Sequence, residues 1–354
     1  MANVVYGDIS PRTAAYVVKE LLERGFPFLT LEKFGQAKPL PKNSTKTMKF
    51  RRYFLKHSTL TTFTPAAYFA TANFDPTTKQ LTEGVTPEAT AIDKMDIEAT
   101  LTQYGDRTVI TDVVLDTHED PILQESIAIL GEEAPILIEK SRFNVVKAGT
   151  NVVYANGAAR SAVNTVFTVA VQKKALRTLK RQLAKPITSI VKSTVNYGTE
   201  AIAPAYIGLC HPDLQYHLEG QTGWVGIEKY GAVVPFEGEI GKIGEVRYIT
   251  STIFEPWTGI GACGATGGSN VMINASSQAH VYPILYLGQN AFGIIPLKGA
   301  ASLVPMVVNP KPSDSDPMAQ RGHVSWKTMT TTIILNDFFM VRGEVAVTLD
   351  ANLS

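Results

Sequence analysis

The chain has 354 residues, enough for about two to three domains of about 100–200 residues each. Its net charge of +1 at pH 7 excludes a global field aimed at nucleic acid or an anionic membrane. Two cysteines, Cys210 and Cys263, neither in a CxxC pair, argue against a disulfide framework or a zinc module and fit a reducing compartment. With no basic-then-apolar leader and no run of about 18 apolar residues, a soluble, intracellular chain is the expectation.

The first predicted element is a short helix. Ser10 suits its N-cap, Pro11 its first turn, and Gly25 follows its end, while Ala14, Val18, Leu21 and Leu22 share a face. Residues 26–44, with Pro27, Pro39 and Pro41, read as an extended arm. Two long strands follow, over 45–57 and 92–104. In the second, Met95, Ile97, Ala99 and Leu101 alternate with Asp96, Glu98, Thr100 and Thr102. A strand of this length reaches roughly 44 Å, well beyond the usual strand of about 5–6 residues. The connecting segment holds Phe63, Tyr68, Phe69 and Phe74 among threonines and prolines, too long for a tight turn and too irregular for a helix.

Asp120-Pro121 opens a long helix, with Leu123, Ile127, Leu130, Ala134, Leu137, Val145 and Ala148 at three/four spacing. Pro135 lies inside it and removes the hydrogen bond to Gly131. A second amphipathic helix spans 166–184, with Val169, Leu176, Leu179 and Leu183 facing inward. Residues 186–322 mix short strands, a short helix near 212–218 and many glycines. Strands at 323–335 and 339–349 close the chain around Asn336-Asp337.

Three features bear on catalysis. Gly259, Gly261 and Gly264 match G-x-G-x-x-G, but a dinucleotide site needs a strand before and a helix after, and Pro256-Trp257 and Gly267-Gly268 flank these glycines. A loop is the better reading, and a nucleotide-binding oxidoreductase is the weak competitor from another class. Cys210, His211 and His217 lie close in sequence but lack a third ligand or an oriented base. No spacing nominates a carboxylate acid/base pair. The reading is therefore no enzyme, no cofactor and no metal.

Charge is segregated along the chain. Eight cations, Lys33 to Lys56, run without an acid, and thirteen acids between Glu83 and Glu133 face only Lys94 and Arg107. Lys49 and Arg51 could pair with Asp96 and Glu98 within one hairpin, or the blocks could steer two copies together. Both readings stand. The candidate inter-subunit contacts are Lys49, Arg51, Arg52, Phe63, Phe69, Phe74, Glu83, Asp96, Glu98, Glu132 and Glu133. The second helix carries Lys173, Lys174, Arg177, Lys180, Arg181 and Lys185, a phosphate-contact candidate for which a solvated face is the favoured reading.

These segments also resemble a family. KFGQAKPLPKN at 33–43, FRRY at 50–53, LTEGVTP at 81–87, QYGDRTVITD at 103–112 and AGTNVVYANG at 148–157 are similar to tailed-phage major capsid proteins of the Enquatrovirus-like podophage type. So are GEIGKIGEVRYI at 238–249, YPILYLGQNAFG at 282–293 and DPMAQRGHVSWKT at 316–328. The order and spacing of these motifs carry the resemblance.

The resemblance implies an α+β, HK97-like capsid fold. Its parts would be an N-terminal arm (1–44), an extended hairpin (45–112), a peripheral domain with a spine helix (113–159 and 323–354) and an axial domain (160–322). It implies hexamers and pentamers of the chain forming an icosahedral phage head around non-specifically held double-stranded DNA, with no membrane. Scaffold, portal and decoration proteins are candidate partners. Host cytoplasm during assembly and the virion capsid are the expected locations, and an encapsulin-like compartment shell is the alternative on the same fold.

Overall fold

The computed structural model describes residues 29–41, 43, 45–56, 74–87, 89–113, 122–187, 204–230, 235–262, 271, 276, 278–297, 304–310, 312 and 317–348. The predicted helix at 10–25 and the tip aromatics Phe63, Tyr68 and Phe69 fall outside these residues. The first half of the chain contains β1 (Gln36–Ala37), β2 (Thr47–Leu55), β3 (Ile92–Thr100), β4 (Thr102–Thr111), α1 (Ile122–Lys147), β5 (Val152–Tyr154) and α2 (Val169–Arg181). The second half contains β6 (Tyr206–Cys210), α3 (Gln215–Glu219), β7 (Trp224–Gly226), β8 (Glu239–Ile243), β9 (Val246–Thr250) and β10 (Tyr282–Leu287). It closes with β11 (Phe292–Pro296), β12 (Val304–Val308), β13 (Arg321–Ile334) and β14 (Met340–Val345).

The strands form three sheets, and the fold is α+β as expected. In the five-stranded sheet, β13 pairs with β4 along one side and with β12 and then β11 along the other, and β1 adds beyond β11. The seven-stranded sheet has the order β5-β14-β10-β6-β9-β8-β7. The third sheet is the hairpin β2–β3 alone.

Helix α1 joins the two larger sheets. Ile127, Leu130 and Ala134 pack on Ile110, Val324 and Trp326 of the five-stranded sheet. One end further on, Phe143 and Val146 pack against Leu209, Leu285 and Leu287 of the seven-stranded sheet, together with Leu31 and Phe34 of the arm. Full burial of such side chains contributes about 1.5–3 kcal/mol each. The buried stripe therefore drifts around the helix, and Ala148, placed inward by the sequence, is exposed. The helix continues through Pro135.

The other face of the seven-stranded sheet is covered by α2, by α3 and by the turn just before α3, through Val171, Ala175, Leu179, Leu214 and Leu218. Leu183, expected inward at the end of α2, lies past the helix in a left-handed conformation (φ 58°) and is exposed. Ala184 takes the buried position in its place.

Two further expectations change. The predicted strand 92–104 is two strands in two sheets. Its buried phase runs through Ala99 and Leu101, then shifts to even positions at Ile110, because β4 leaves the hairpin to pair with β13. The closing segment is also divided. Strand β13 belongs to the five-stranded sheet, whereas β14 sits between β5 and β10 in the other. The turn between them is pinned by Asp337, whose carboxylate accepts the Thr150 N–H at 3.0 Å. Strands β11 and β12, within the segment 160–322, likewise belong to the five-stranded sheet.

Candidate assembly interface

Hairpin β2–β3 has two unlike faces because side chains alternate along a strand. Cross-strand register places Met48 opposite Ala99 and Phe50 opposite Ile97 on one face, and Lys49 opposite Glu98 and Arg51 opposite Asp96 on the other. Among the described residues, the apolar face is anchored at its base, where Met48, Phe50, Ala99 and Leu101 meet Leu40, Ile295, Leu297, Met329 and Ile333. Further out, on the face of Lys49 and Arg51, Tyr53 is 65% exposed and Ile92 71% exposed, and Leu81 in the connecting segment is 76% exposed. A two-stranded hairpin is marginal in water without a surface to pack on.

The charged face is internally satisfied. Lys49 Nζ lies 2.5 Å from Glu98 Oε1, and Arg51 donates to both Asp96 oxygens at 2.7 and 2.9 Å. The Arg51 guanidinium holds the Asp96 carboxyl below the usual carboxylate range, and Glu98 raises Lys49. The within-hairpin pairing therefore exists in a single chain. Arg52 is exposed opposite Met95.

The remaining candidates divide. Phe74 is exposed beside the Asp75-capped turn, and Glu83 is exposed next to Gly84, whose φ of 78° closes a turn. Glu132 faces outward from α1. Glu133 does not: it accepts the Trp326 indole N–H at 3.4 Å, and burial, then the nearby Asp106 carboxylate, push its carboxyl up. It belongs to the packing between α1 and the five-stranded sheet. Phe63 and Phe69 lie outside the described residues.

The catalytic candidates are tied into the fold. Cys210 is fully buried, and burial pushes its thiol up. His217 Nε2 accepts the Thr348 N–H at 3.0 Å, and burial lowers its affinity for a second proton. His211 Nδ1 accepts the Asp213 N–H at the start of a helical turn. Among the described residues no three His, Cys, Asp or Glu side chains gather to hold a metal. In the glycine loop, the Gly261 N–H donates to Ala279 O at 2.9 Å and the Ala262 N–H to Val163 O at 3.1 Å, so these donors are already taken. Gly264 lies outside the described residues.

Two buried charge clusters had no sequence signal. Glu344, near the end of β14, is fully buried and receives Arg160 on both oxygens and Arg342 on one, each at 2.8 Å. Arg160 stacks 3.5 Å from the Trp257 ring, whose centroid Lys147 also approaches to 4.1 Å. Glu139, fully buried on α1, accepts the Leu31 N–H at 2.6 Å and so ties the arm to the helix. Beside it Arg142 reaches Glu32 at 3.1 Å. A carboxylate three residues before an arginine on a helix looks like an ordinary solvated face, and only the arm's placement buries it.

No protein-family model matches the chain, and no curated protein sequence does either. Solved structures do match over nearly its whole length. The capsid of Ralstonia phage GP4 is similar at 14% identity, covering 89% of this chain and 88% of that one, with a TM-score of 0.60. The cyanophage Pam1 capsid matches at 12% identity over 90% and 89% of the two chains, TM-score 0.57. The acid-stable capsid of Helicobacter pylori bacteriophage KHP30 matches at 10% identity over 88% of each chain, TM-score 0.56. At these identities the likeness is one of fold, and the fold is the HK97-like capsid fold.

Proposed function

We propose that the chain is a major capsid protein, of which many copies close an icosahedral phage head around double-stranded DNA. The observation that carries this reading is the hairpin β2–β3, a separate sheet packed at its base on the five-stranded sheet, with Tyr53 and Ile92 exposed further out. Large exposed apolar groups on a projecting ribbon suit burial against another copy. The full-length capsid likeness supports the same conclusion.

In this reading the five-stranded sheet with the first part of α1 is the peripheral unit, and the seven-stranded sheet with α2 and α3 is the axial unit. The segment 340–345 then goes with the axial unit and 292–308 with the peripheral one, following the sheets. Hexamers and pentamers are the building blocks, formed in the host cytoplasm, with scaffold, portal and decoration proteins as candidate partners. The chain acts by assembly rather than by catalysis.

Electron microscopy of the purified chain, expressed alone and with a co-expressed scaffold, tests the proposal. Closed particles of uniform size are expected. The double variant Tyr53→Ser/Ile92→Ser should keep the wild-type melting temperature and lose most particle yield. A wild-type chain that stays monomeric under every co-expression, or a variant that assembles normally, overturns the reading.

A further inference from the structure

Helix α2 is charged in a way that packing does not explain. Val171, Gln172, Ala175 and Leu179 are buried against the seven-stranded sheet, and Lys173, Lys174, Arg177, Lys180, Arg181 and Lys185 are all exposed. The segment 165–185 contains no acid. Lys180 pairs with Glu245 at 2.6 Å; among the described residues the other five cations make no ion pair.

A solvated helix face ordinarily intersperses acids at i±4, which stabilise it, whereas like charges at that spacing destabilise it by about 0.2–0.5 kcal/mol per pair. Here Lys173/Arg177 and Arg177/Arg181 are like-charged i,i+4 pairs, and Lys174/Arg177 and Arg177/Lys180 are like-charged i,i+3 pairs. The helix dipole favours Lys180 and Arg181 in the last turn, but its effect fades before Lys173, Lys174 and Arg177. Among the described residues, the repulsion at these three positions has no ion-pair partner to offset it.

We infer that this face of α2 binds the phosphate backbone of double-stranded DNA. From residue 173 to 181 the helix rises about 12 Å. Duplex DNA carries one charge per about 1.7 Å of axis, so that length faces about seven phosphates. The chemistry favours nucleic acid over an acidic protein. Protein interface cores are rich in aromatic residues and poor in charge, whereas protein–DNA interfaces are polar and strongly positive. The exposed face of α2 carries no aromatic residue, and Leu183 beyond its end is the exposed large apolar group beside it. The inference rests on the capsid reading for its biological setting, and its test does not depend on particles forming.

The test uses the unassembled full-length chain, its state verified by sedimentation, and a 20-bp duplex of random sequence followed by fluorescence anisotropy. Five phosphate contacts give a log–log salt slope of about −4.5, or roughly a 500-fold loss of affinity between 50 and 200 mM salt. The variant K173Q/K174Q/R177Q leaves two contacts, a slope of about −1.8 and roughly a 12-fold loss. Gln keeps helix propensity, and an unchanged melting temperature verifies the fold. A control, R107Q/R321Q/K327Q, removes three charges from the five-stranded sheet and should leave the slope at the wild-type value. The inference is overturned by an unchanged slope in the α2 variant or by an equal fall in the control. A 20-residue polyglutamate that binds more tightly than the duplex would assign the face to an acidic protein and also overturn it. Particle formation by each variant, scored separately, reports on the capsid reading alone.

Discussion

Replacing Glu344 with Gln removes one negative charge from a site that holds two guanidinium groups. The side chain is fully buried; Oε1 accepts from Arg160 and Arg342, and Oε2 accepts from Arg160. The amide is nearly isosteric, but its NH₂ would face donors, and both arginines would lose their counter-charge. Breaking a buried ion pair by removing one partner costs about 3–5 kcal/mol. Two features move the expectation to the low end. The Arg160 side chain is 28% exposed, and Arg342 also donates to the carbonyls of Lys147 and Gly149. The loss should be about 3 kcal/mol. Urea unfolding of the unassembled chain reads it out, with Trp257 as a local fluorophore because Arg160 stacks on its ring. At about 3 kcal/mol per M, the upper end for small proteins, the midpoint should fall by about 1 M. A loss under about 1 kcal/mol would refute the reading of Glu344 as the required counter-charge of Arg160 and Arg342. So would an equal loss from Glu344→Gln in a background already carrying Arg160→Met and Arg342→Met.

Glu139 should confer a pH dependence. Burial pushes its carboxyl up to about 7 despite the Leu31 N–H and Arg142, against 4.5 for the unperturbed group. The folded state therefore holds the proton more tightly, and stability from this group is fully present below about pH 4.5 and lost as pH rises through 7. The loss is on the order of 3 kcal/mol, and Glu139→Gln should flatten it; parallel melting curves of the two proteins from pH 4.5 to 8 would contradict the assignment. Charge reversal of Arg51 and Arg52 to Glu should lower particle yield more than melting temperature. The swap Arg51→Glu/Asp96→Arg should restore yield if that pair acts within one hairpin, and sedimentation of assembly reactions distinguishes the outcomes. Gly261→Ala should destabilise by about 1–3 kcal/mol, since its Cβ would press into the Val163 carbonyl oxygen. Unchanged thermal stability would show that the backbone there yields freely.

Local periodicity made the hairpin and α1 legible. Period-two alternation in 92–100 and opposite charges across 49–51 and 96–98 follow from the pleat of one antiparallel pair, and they fix its register without the rest of the fold. The ordered motifs that resemble phage capsid proteins led to the same architecture. The charge of α2 was also plain, because acids are absent from the segment itself.

Tertiary structure decided the rest. A strand's pattern tells which of its faces is buried but not which sheet receives it, so β13 and β14, six residues apart, looked like one unit and belong to two. Leu183 carried the right spacing but lies past the end of α2, where the backbone turns left-handed. The run MVRGEV gives no hint that Arg342 and Glu344 are buried, because what neutralises Glu344 includes Arg160, 184 positions away in sequence. Burying a charge is tolerable only where such a partner is already in place, and that depends on distances in space that sequence spacing does not encode.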